Sequence, residues 1–179
     1  IGTQLVAKGL DFKNVRLVGI VAADISLNIP DFRSAERTFQ LITQAAGRAG
    51  RGDEPGKVII QSYTPEHYAV KAAAAQVYDA FYQTEIRIRE VLAYPPFGEL
   101  MQAVVSAADE EVTAACAASF HRLMCESAGP ERDNFLPPRR APIAKANGKY
   151  RYQIVIKCPK GKRAAYTAAL AEAKQRIAP

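Results

Sequence analysis

Apolar and polar positions in the first part of the chain alternate in a way that predicts a strand, a helix and a second strand. VRLVGIVAAD (15–24) is a continuous apolar run, typical of a strand buried on both faces of a parallel sheet. In SAERTFQLITQAA (34–46), Ala35, Phe39, Ile42 and Ala46 recur at helical spacing. KVIIQSY (57–63) predicts the second strand. This order indicates part of a doubly wound α/β layer, the fold class we expect here.

Capping residues and breakers predict where the helices of this part begin and end. Ser34 is expected to cap the first helix. Thr64 is expected to cap a second one, with Pro65 in its first turn. An alanine-rich run to Tyr82 favours a single helix that continues through EIRIREVL, and YPPFG (94–98) ends it. We therefore divide the chain into 1–82 and 83–179, the helical stretch serving as connector.

The second part has its own order of elements. LMQAVVSA (100–107) and KYRYQIVIKCP (149–159) predict strands, and NFLPPRRAPIAK (134–145) is extended. A helix over 108–128 is expected to begin with Asp109 as its cap, and a last helix follows Gly161. The order β-α-β-β-α predicts a small α+β, ferredoxin-like domain with its helices on one face of the sheet.

Charge is distributed unevenly along the chain. The net charge is +6, yet residues 135–179 carry +10 and residues 99–134 carry −5. Such a basic segment is typical of proteins that bind an anionic partner such as nucleic acid, although a solvated basic face without a partner is equally open. The candidate DNA-binding residues are Arg139, Arg140, Lys145, Lys149, Arg151 and Tyr152. Bases can stack on tyrosines while cations follow the backbone, but we expect sheet packing for one of Tyr150 and Tyr152.

Several classes of site are not predicted. The three cysteines are widely spaced and form no CxxC pair, so we expect neither a zinc site nor a disulfide framework. Cys116 and Cys125 are expected to be core thiols, and neither histidine has a catalytic partner near it in sequence. No window is apolar enough to span a membrane and no signal peptide is visible, so a cytoplasmic location is expected. A chain that begins IGTQ is interpreted as part of a longer protein.

Two arginines follow the first predicted helix. Arg48 and Arg51 lie three residues apart, with Gly47 and Gly50 before them. Fixed guanidinium groups suit recognition of phosphate oxygens, which arginine contacts through two parallel hydrogen bonds. The alternative is a helix C-terminus whose cations complement the helix dipole.

Several stretches of the sequence resemble a known protein family. GTQLVAKGLDF and QAAGRAGR are similar to motifs V and VI of superfamily 2 helicases. DISLNIPDFRSAERTFQLITQAAGRAGRGDEPGKVIIQSY, YPPFG and APIAKANGKYRYQIVIK resemble the primosomal protein N′ family, bacterial DNA helicases of replication restart. The resemblance covers essentially the whole chain, as the C-terminal part of a longer protein. Leu10, Lys13 and Ala45 depart from the family pattern.

The resemblance implies roles for particular residues. Arg48 and Arg51 would neutralise charge on the transferring γ-phosphate as arginine fingers, with Gln44 positioning them. Such fingers contribute on the order of 10³ to 10⁵ in rate. Of the motif V residues, Thr3 and Lys8 would contact DNA phosphate. Gly9, on the nucleotide side, would permit close approach, and Asp11 would face the nucleotide or the motif VI arginines. Residues 1–82 would then form part of the second RecA-like lobe.

The resemblance also implies cofactors and partners. ATP and magnesium would be bound by the longer protein, and zinc by its paired cysteines, because this chain has neither a GxxxxGK[ST] loop nor zinc ligands. We therefore expect no ATP hydrolysis from this chain alone and predict no metal residues in it. The expected partners are forked, single-stranded and duplex DNA, single-strand binding protein and other primosome proteins. The alternative is a non-catalytic module for DNA binding and protein docking.

Overall fold

The computed structural model describes residues 15–49 and 56–177 of the chain. These residues belong to two compact units, Ile1–Ile88 and Arg89–Pro179. The predicted division after Tyr82 lies six residues earlier, within the same helix. Both units combine helices with strands, so the α/β class predicted from the sequence is confirmed.

The first unit contains a two-stranded parallel sheet and three helices. Strands β1 (Leu17–Ile20) and β2 (Lys57–Ile60) pair in parallel, with Leu17 opposite Lys57 and Ile20 opposite Ile60. A 3-10 turn (Ile25–Asn28) precedes helix α1 (Ser34–Ala46). Helices α2 (Tyr68–Ala74) and α3 (Tyr78–Val91) follow β2.

Helix α1 packs through the apolar stripe that its sequence predicts. Phe39, Ile42 and Ala46 are buried, and Phe39 stacks on Phe81 of α3 with 4.4 Å between the ring centroids. Burial of several apolar side chains, each contributing about 1.5–3 kcal/mol, fixes the helix. Because one face of α1 is anchored in this way, the residues at its C-terminal end are held in a defined position.

Four predictions for the first unit are wrong. The apolar β1 is not buried on both faces in this chain, since Leu17 is 59% exposed. Ser34 is the first helical residue rather than the cap, and its hydroxyl donates to the carbonyl of Ile29. Helix α2 begins later than predicted and is capped by Nδ1 of His67, which accepts from the Ala69 amide, and not by Thr64.

The fourth error concerns the length of the second helix. A single helix through Leu92 is predicted, but the helix is interrupted between α2 and α3 at residues 75–77. Gln76 there adopts a left-handed φ of 55°. Alanine favours helix locally, whereas the break lets Ala72 and Ala73 pack in the same core as Phe81. Tertiary packing therefore overrides propensity at this point.

The second unit has the predicted order β-α-β-β-α. Its elements are β3 (Gly98–Ala107), α4 (Glu110–Ala128), a 3-10 turn (Gly129–Asn134), β4 (Arg139–Ala146), β5 (Lys149–Pro159) and α5 (Arg163–Ile177). The strands form an antiparallel sheet in the order β3-β5-β4. Asp109 caps α4 as predicted, accepting a 2.9 Å hydrogen bond from the Val112 amide.

The helices of the second unit cover one face of this sheet. Ile154, Ile156 and Cys158 of the central strand β5 are buried in one cluster with Met124 of α4 and Tyr166 of α5. The intervening residues of β5 point to the opposite face, because successive side chains on a strand alternate. One face of the sheet is therefore covered by helices and the other is not. The basic residues predicted to bind DNA lie on both faces.

The prediction for the cysteines is also wrong in part. Cys158 is the buried thiol, whereas Cys116 and Cys125 are only half-buried. Burial raises the pKa of the Cys158 thiol above its usual value. Cys125 nevertheless packs against the core cluster of the second unit, as predicted for a core thiol.

Candidate functional site

Two of the three residues predicted to be catalytic, Gln44 and Arg48, lie at the C-terminal end of α1. Gln44 lies exposed on the last turn of the helix, and Arg48 lies half-buried in the turn that follows it. That turn is held by backbone hydrogen bonds from the Arg48 amide to Ala45 and from the Ala49 amide to Ala46, at 3.1 and 3.0 Å. The backbone of Arg48 is therefore held close to the end of a docked helix.

The other predicted residues of the nucleotide and motif V sites lie outside the described residues. These are Thr3, Lys8, Gly9, Asp11 and Arg51. Their roles stay predictions.

A buried carboxylate connects the ends of the two parallel strands. Asp24 follows β1 and is 4% exposed. Its Oδ2 accepts from the Tyr63 amide at 3.0 Å and from the amide and hydroxyl of Thr64 at 3.1 and 3.2 Å. Within the described part of the chain, Oδ1 has no hydrogen-bond partner. Asp24 thus ties the loop after β2 to the end of β1, a role that sequence analysis missed.

The pKa of Asp24 reflects two opposed effects. Burial raises the pKa of its carboxyl, while hydrogen bonds from its own backbone, Thr64 and Tyr63 lower it, and the net pKa lies below the usual value. The carboxylate is therefore charged in the folded protein at neutral pH. No local pattern could have indicated these bonds, because their partners are 39 and 40 residues away in sequence.

The candidate DNA-binding residues of the second unit are divided between the two faces of its sheet. On the helix-covered side, Arg140 lies opposite Tyr152 and Lys145 lies opposite Tyr150. On the other side, Arg139 lies opposite Gln153, and Arg151 lies opposite Ser106 of β3. Lys149 shares the alternation of Arg151. Strand alternation also places Tyr150 and Tyr152 on the same face, so the tyrosine pair is not split between a packed and a free ring.

Arg140 and Lys145 line a cleft that also contains acidic groups. The cleft has a volume of about 640 Å³ and lies between the start of α4 and the two strands β4 and β5. Arg140 pairs with Glu110 at 2.6 Å. Lys145 lies over the ring of Tyr150, with its ammonium 4.3 Å from the ring centroid. Asp109 and Glu111 complete an acidic wall opposite these cations.

The helix-free face carries basic residues of a different kind. Within the described residues, Arg139, Lys149 and Arg151 form no salt bridge. Arg139 and Lys149 are exposed, and Arg151 is half-buried. Beside them lie Gln102 and Gln153, whose side-chain amides are hydrogen-bonded to each other. No carboxylate of the described residues therefore pairs with these guanidinium and ammonium groups.

Much of the basic charge of the C-terminal segment is paired within the unit. Besides Arg140, the cations of three more residues contact carboxylates of the acidic 99–134 segment: Lys162 pairs with Glu131, Arg163 with Glu99 and Arg176 with Glu126. The opposite charges of the two segments are therefore used partly to hold the fold. The sequence indicated the charges but not which of them pair.

Two further titratable groups, His121 and Cys125 of α4, have structural partners. His121 contacts the carbonyl of Phe135 at 2.9 Å and the thiol of Cys125 at 3.5 Å. Burial raises the pKa of that thiol. Among residues 15–49 and 56–177, no group of three or more His, Cys, Asp or Glu side chains is placed to hold a metal ion. No helix in the same residues is long and apolar enough to cross a bilayer.

Comparison with known proteins identifies the class of the second unit. A family model described as the primosomal protein N C-terminal domain matches residues 90–178. The match covers every strand and helix of the sheet domain. Residues of the first unit are covered by the relatives described next.

Curated relatives extend the match over most of the chain. Replication restart protein PriA of Bacillus subtilis (strain 168) is 47% identical over 157 residues, which are 88% of this chain and 19% of the relative. The protein of the same name from Synechocystis is 44% identical over 160 residues, 89% of this chain and 19% of the relative. That of Treponema pallidum is 41% identical over 159 residues, 89% of this chain and 24% of the relative.

The chain belongs to the PriA family, and the resemblance seen in its sequence is confirmed. It spans about a fifth to a quarter of the length of the curated relatives it matches.

Proposed function

We propose that this chain is the C-terminal part of an ATP-dependent DNA helicase that acts in replication restart and primosome assembly at stalled forks. The observation that carries the proposal is the match of 47% identity to a protein named for replication restart, extending over 88% of the chain. The docked helix α1, with Arg48 fixed at its end, supports a role for the first unit in phosphoryl transfer. The parallel pair β1–β2 is consistent with part of a RecA-like lobe.

In this proposal the first unit supplies residues to a site completed by the longer protein. Arg48 and Arg51 neutralise the charge that develops on the γ-phosphate, and Gln44 orients them. Gly9 and Asp11 contact the nucleotide, whereas Thr3 and Lys8 contact DNA phosphate. Magnesium bound with ATP would supply further charge neutralisation. A helix that is fixed before the reaction suits this task, because preorganised charges need no rearrangement in the transition state.

The residues that bind ATP and magnesium are assigned to the rest of the longer protein, and so are the ligands of zinc. The sequence has no GxxxxGK[ST] loop. We therefore propose that the 179-residue chain neither hydrolyses ATP nor binds it tightly by itself. The proposed partners are forked, single-stranded and duplex DNA, single-strand binding protein and other primosome proteins, in the cytoplasm.

A second candidate function is a non-catalytic module that binds DNA and docks partner proteins. The observation in its favour is the helix-free sheet face, where Arg139, Lys149 and Arg151 carry charges that no carboxylate of the described residues pairs. The two functions are compatible in the longer protein. They differ for the isolated chain, where only the second leaves a measurable activity.

The test compares the longer protein with this chain. The longer protein should unwind a forked DNA only when ATP and magnesium are present, and its ATP hydrolysis should rise when DNA is added. Calorimetric titration of the isolated chain with ATP and magnesium should give no stoichiometric binding. A longer protein that hydrolyses no ATP with DNA present would refute the helicase function, and tight ATP binding by the chain would refute the division of the site.

A further inference from the structure

We propose that the helix-free face of the β3-β5-β4 sheet binds the sugar-phosphate backbone of DNA without stacking its bases. This surface, the outer face, carries the cations of Arg139, Lys149 and Arg151 together with the polar side chains of Ser106 and Gln102. The inference rests on the proposed contact of this chain with DNA. It goes further in assigning that contact to one of two candidate surfaces and in specifying its chemistry.

Strand register places the members of the outer face side by side. Arg139 of β4, Gln153 of β5 and Val104 of β3 lie in one row across the sheet. Arg151 and Ser106 form the neighbouring row. Alternate residues along a strand are about 6.6 Å apart, so Lys149 and Arg151 are successive cations on the same side. The face is thus a two-dimensional array of cations set on a rigid sheet.

The polar groups of this face suit phosphate and sugar more than base edges. Lysine, arginine, serine and glutamine are the side chains that commonly contact the nucleic-acid backbone. Arg139, Lys149 and Ser106 are exposed, so a ligand can reach them without any movement of the core. Because no carboxylate of the described residues pairs with these cations, a phosphate would be their first charged partner.

The position of the aromatic rings argues against base stacking on this face. Tyr150 and Tyr152 lie on the helix-covered side, opposite Lys145 and Arg140. One aromatic ring, that of Tyr94, lies beside Lys157, whose ammonium is 5.1 Å from the ring centroid. Among strand positions that point to the outer face, none of the described residues is aromatic. Binding should therefore depend on phosphates and not on which bases are present.

The cleft on the other side is a poorer surface for a polyanion. Arg140 is already paired with Glu110, and Asp109 and Glu111 lie in the same cleft wall. A phosphate that approached Lys145 would enter a cleft that these carboxylates also line, and like charges repel each other. The two surfaces are therefore distinguished by their acidic neighbours and not by their number of basic residues.

The experiment measures DNA binding by the full chain, using fluorescence anisotropy at several salt concentrations. The variant Arg139→Gln/Lys149→Gln removes two exposed cations from the outer face. The control Lys160→Gln/Lys174→Gln removes two exposed cations elsewhere in the unit, so both chains have the same net charge. The probes are a short labelled duplex, a single strand, and a strand of the same length without bases.

The expected result is a loss of affinity that is confined to the outer-face variant. Each phosphate contact contributes about 0.7 to 0.9 to the slope of log affinity against log salt. At about 0.1 M salt, loss of two contacts should weaken binding about 25- to 60-fold and lower the slope by about 1.4 to 1.8. The control should stay within about twofold of the unmodified chain, and the strand without bases should bind about as well as the normal one.

Four results would overturn the inference, and they differ in meaning. Equal loss in variant and control would mean that net charge and not the outer face determines binding. An unmodified chain that binds the baseless strand at least about tenfold more weakly would show that bases are stacked. Unchanged DNA affinity in the outer-face variant would leave that face to a protein partner. An unmodified chain that binds no DNA at low salt would instead remove the proposed DNA contact itself.

Discussion

Truncating a side chain on each face of the three-stranded sheet should have very different effects on stability. Ile154 of β5 is 0% exposed and packs against the helices, whereas Val104 of β3 is 43% exposed on the outer face. Replacing Ile154 by alanine removes buried methyl groups and leaves a cavity, for which losses of about 2–5 kcal/mol are usual. Replacing Val104 by alanine removes groups that are already half in water, so we expect less than about 1 kcal/mol.

An intermediate variant makes the magnitude sharper. Ile154→Val removes one methylene group and should cost about 0.5–1.5 kcal/mol. In a domain of this size, about 1 kcal/mol corresponds to a decrease of about 4–8 °C in Tm. The order of stability should be unmodified chain, then Val104→Ala, then Ile154→Val, then Ile154→Ala.

Hydrogen exchange of the β5 amides is the appropriate assay, because it reports the second unit separately from the first. The logarithm of the rate of exchange through global opening of the unit should rise in proportion to the lost free energy. Equal effects of Val104→Ala and Ile154→Ala would refute the assignment of the two faces. The proposed outer face for DNA would then lose its basis as well.

Three further predictions concern titratable groups. Asp24 has a lowered pKa in the folded state, so its contribution to stability is present above the usual value of 3.8 and is lost as pH falls through the folded pKa. The variant Asp24→Asn should therefore make stability less dependent on acidic pH, as acid unfolding followed by circular dichroism can measure. Cys158 should react with a thiol reagent only on unfolding, and Cys116 should react in the native chain, as mass spectrometry after timed labelling can measure. Burial and a hydrogen bond to Glu131 raise the pKa of Tyr166 to about 12, so its stabilising effect is complete below pH 10, the usual pKa, and is lost as pH rises through the folded value; ultraviolet titration should detect one late phenolate that Tyr166→Phe removes. Early labelling of Cys158, an unchanged acid transition or the absence of a late phenolate would contradict the respective assignment.

The elements with strong local signals could be predicted from the sequence. The stripe of Phe39, Ile42 and Ala46 predicted the buried face of α1, and Asp109 predicted the start of α4. Strand β5 was predicted with its observed bounds, since its pattern is apolar and ends at a proline and a glycine turn. These features depend on residues close in sequence, which is why local reasoning found them.

The errors arise where distant contacts decide the structure. The break at Gln76 follows from packing between helices, although the local sequence favours a continuous helix. Thr64 resembles a helix cap in sequence, but its amide and hydroxyl are bound to Asp24, which is 40 residues away. His67, three residues further on, caps the helix instead.

The candidate site was predictable in its residue types and less so in its geometry. Strand alternation places Arg139 and Arg140 on opposite faces, and likewise Arg151 and Tyr152. Which residues of β4 share a face with which residues of β5 follows only from the register. The register shifts between Arg140 and Lys145 of β4, and no pattern in the sequence predicts this shift. Pairing of Arg140 with Glu110 likewise depends on the fold.

In the proposed function, Arg48 of this chain takes part in ATP hydrolysis by the longer protein. The most direct measurement is the DNA-stimulated rate of ATP hydrolysis by the longer protein carrying Arg48→Ala, with Arg87→Ala, an exposed arginine of α3, as the matched control. We predict that Arg48→Ala lowers kcat by about 10³-fold or more, with thermal stability and DNA affinity nearly unchanged, and that the control retains its rate. An Arg48→Ala protein whose activity falls only in proportion to its unfolded fraction, or does not fall, would contradict the account.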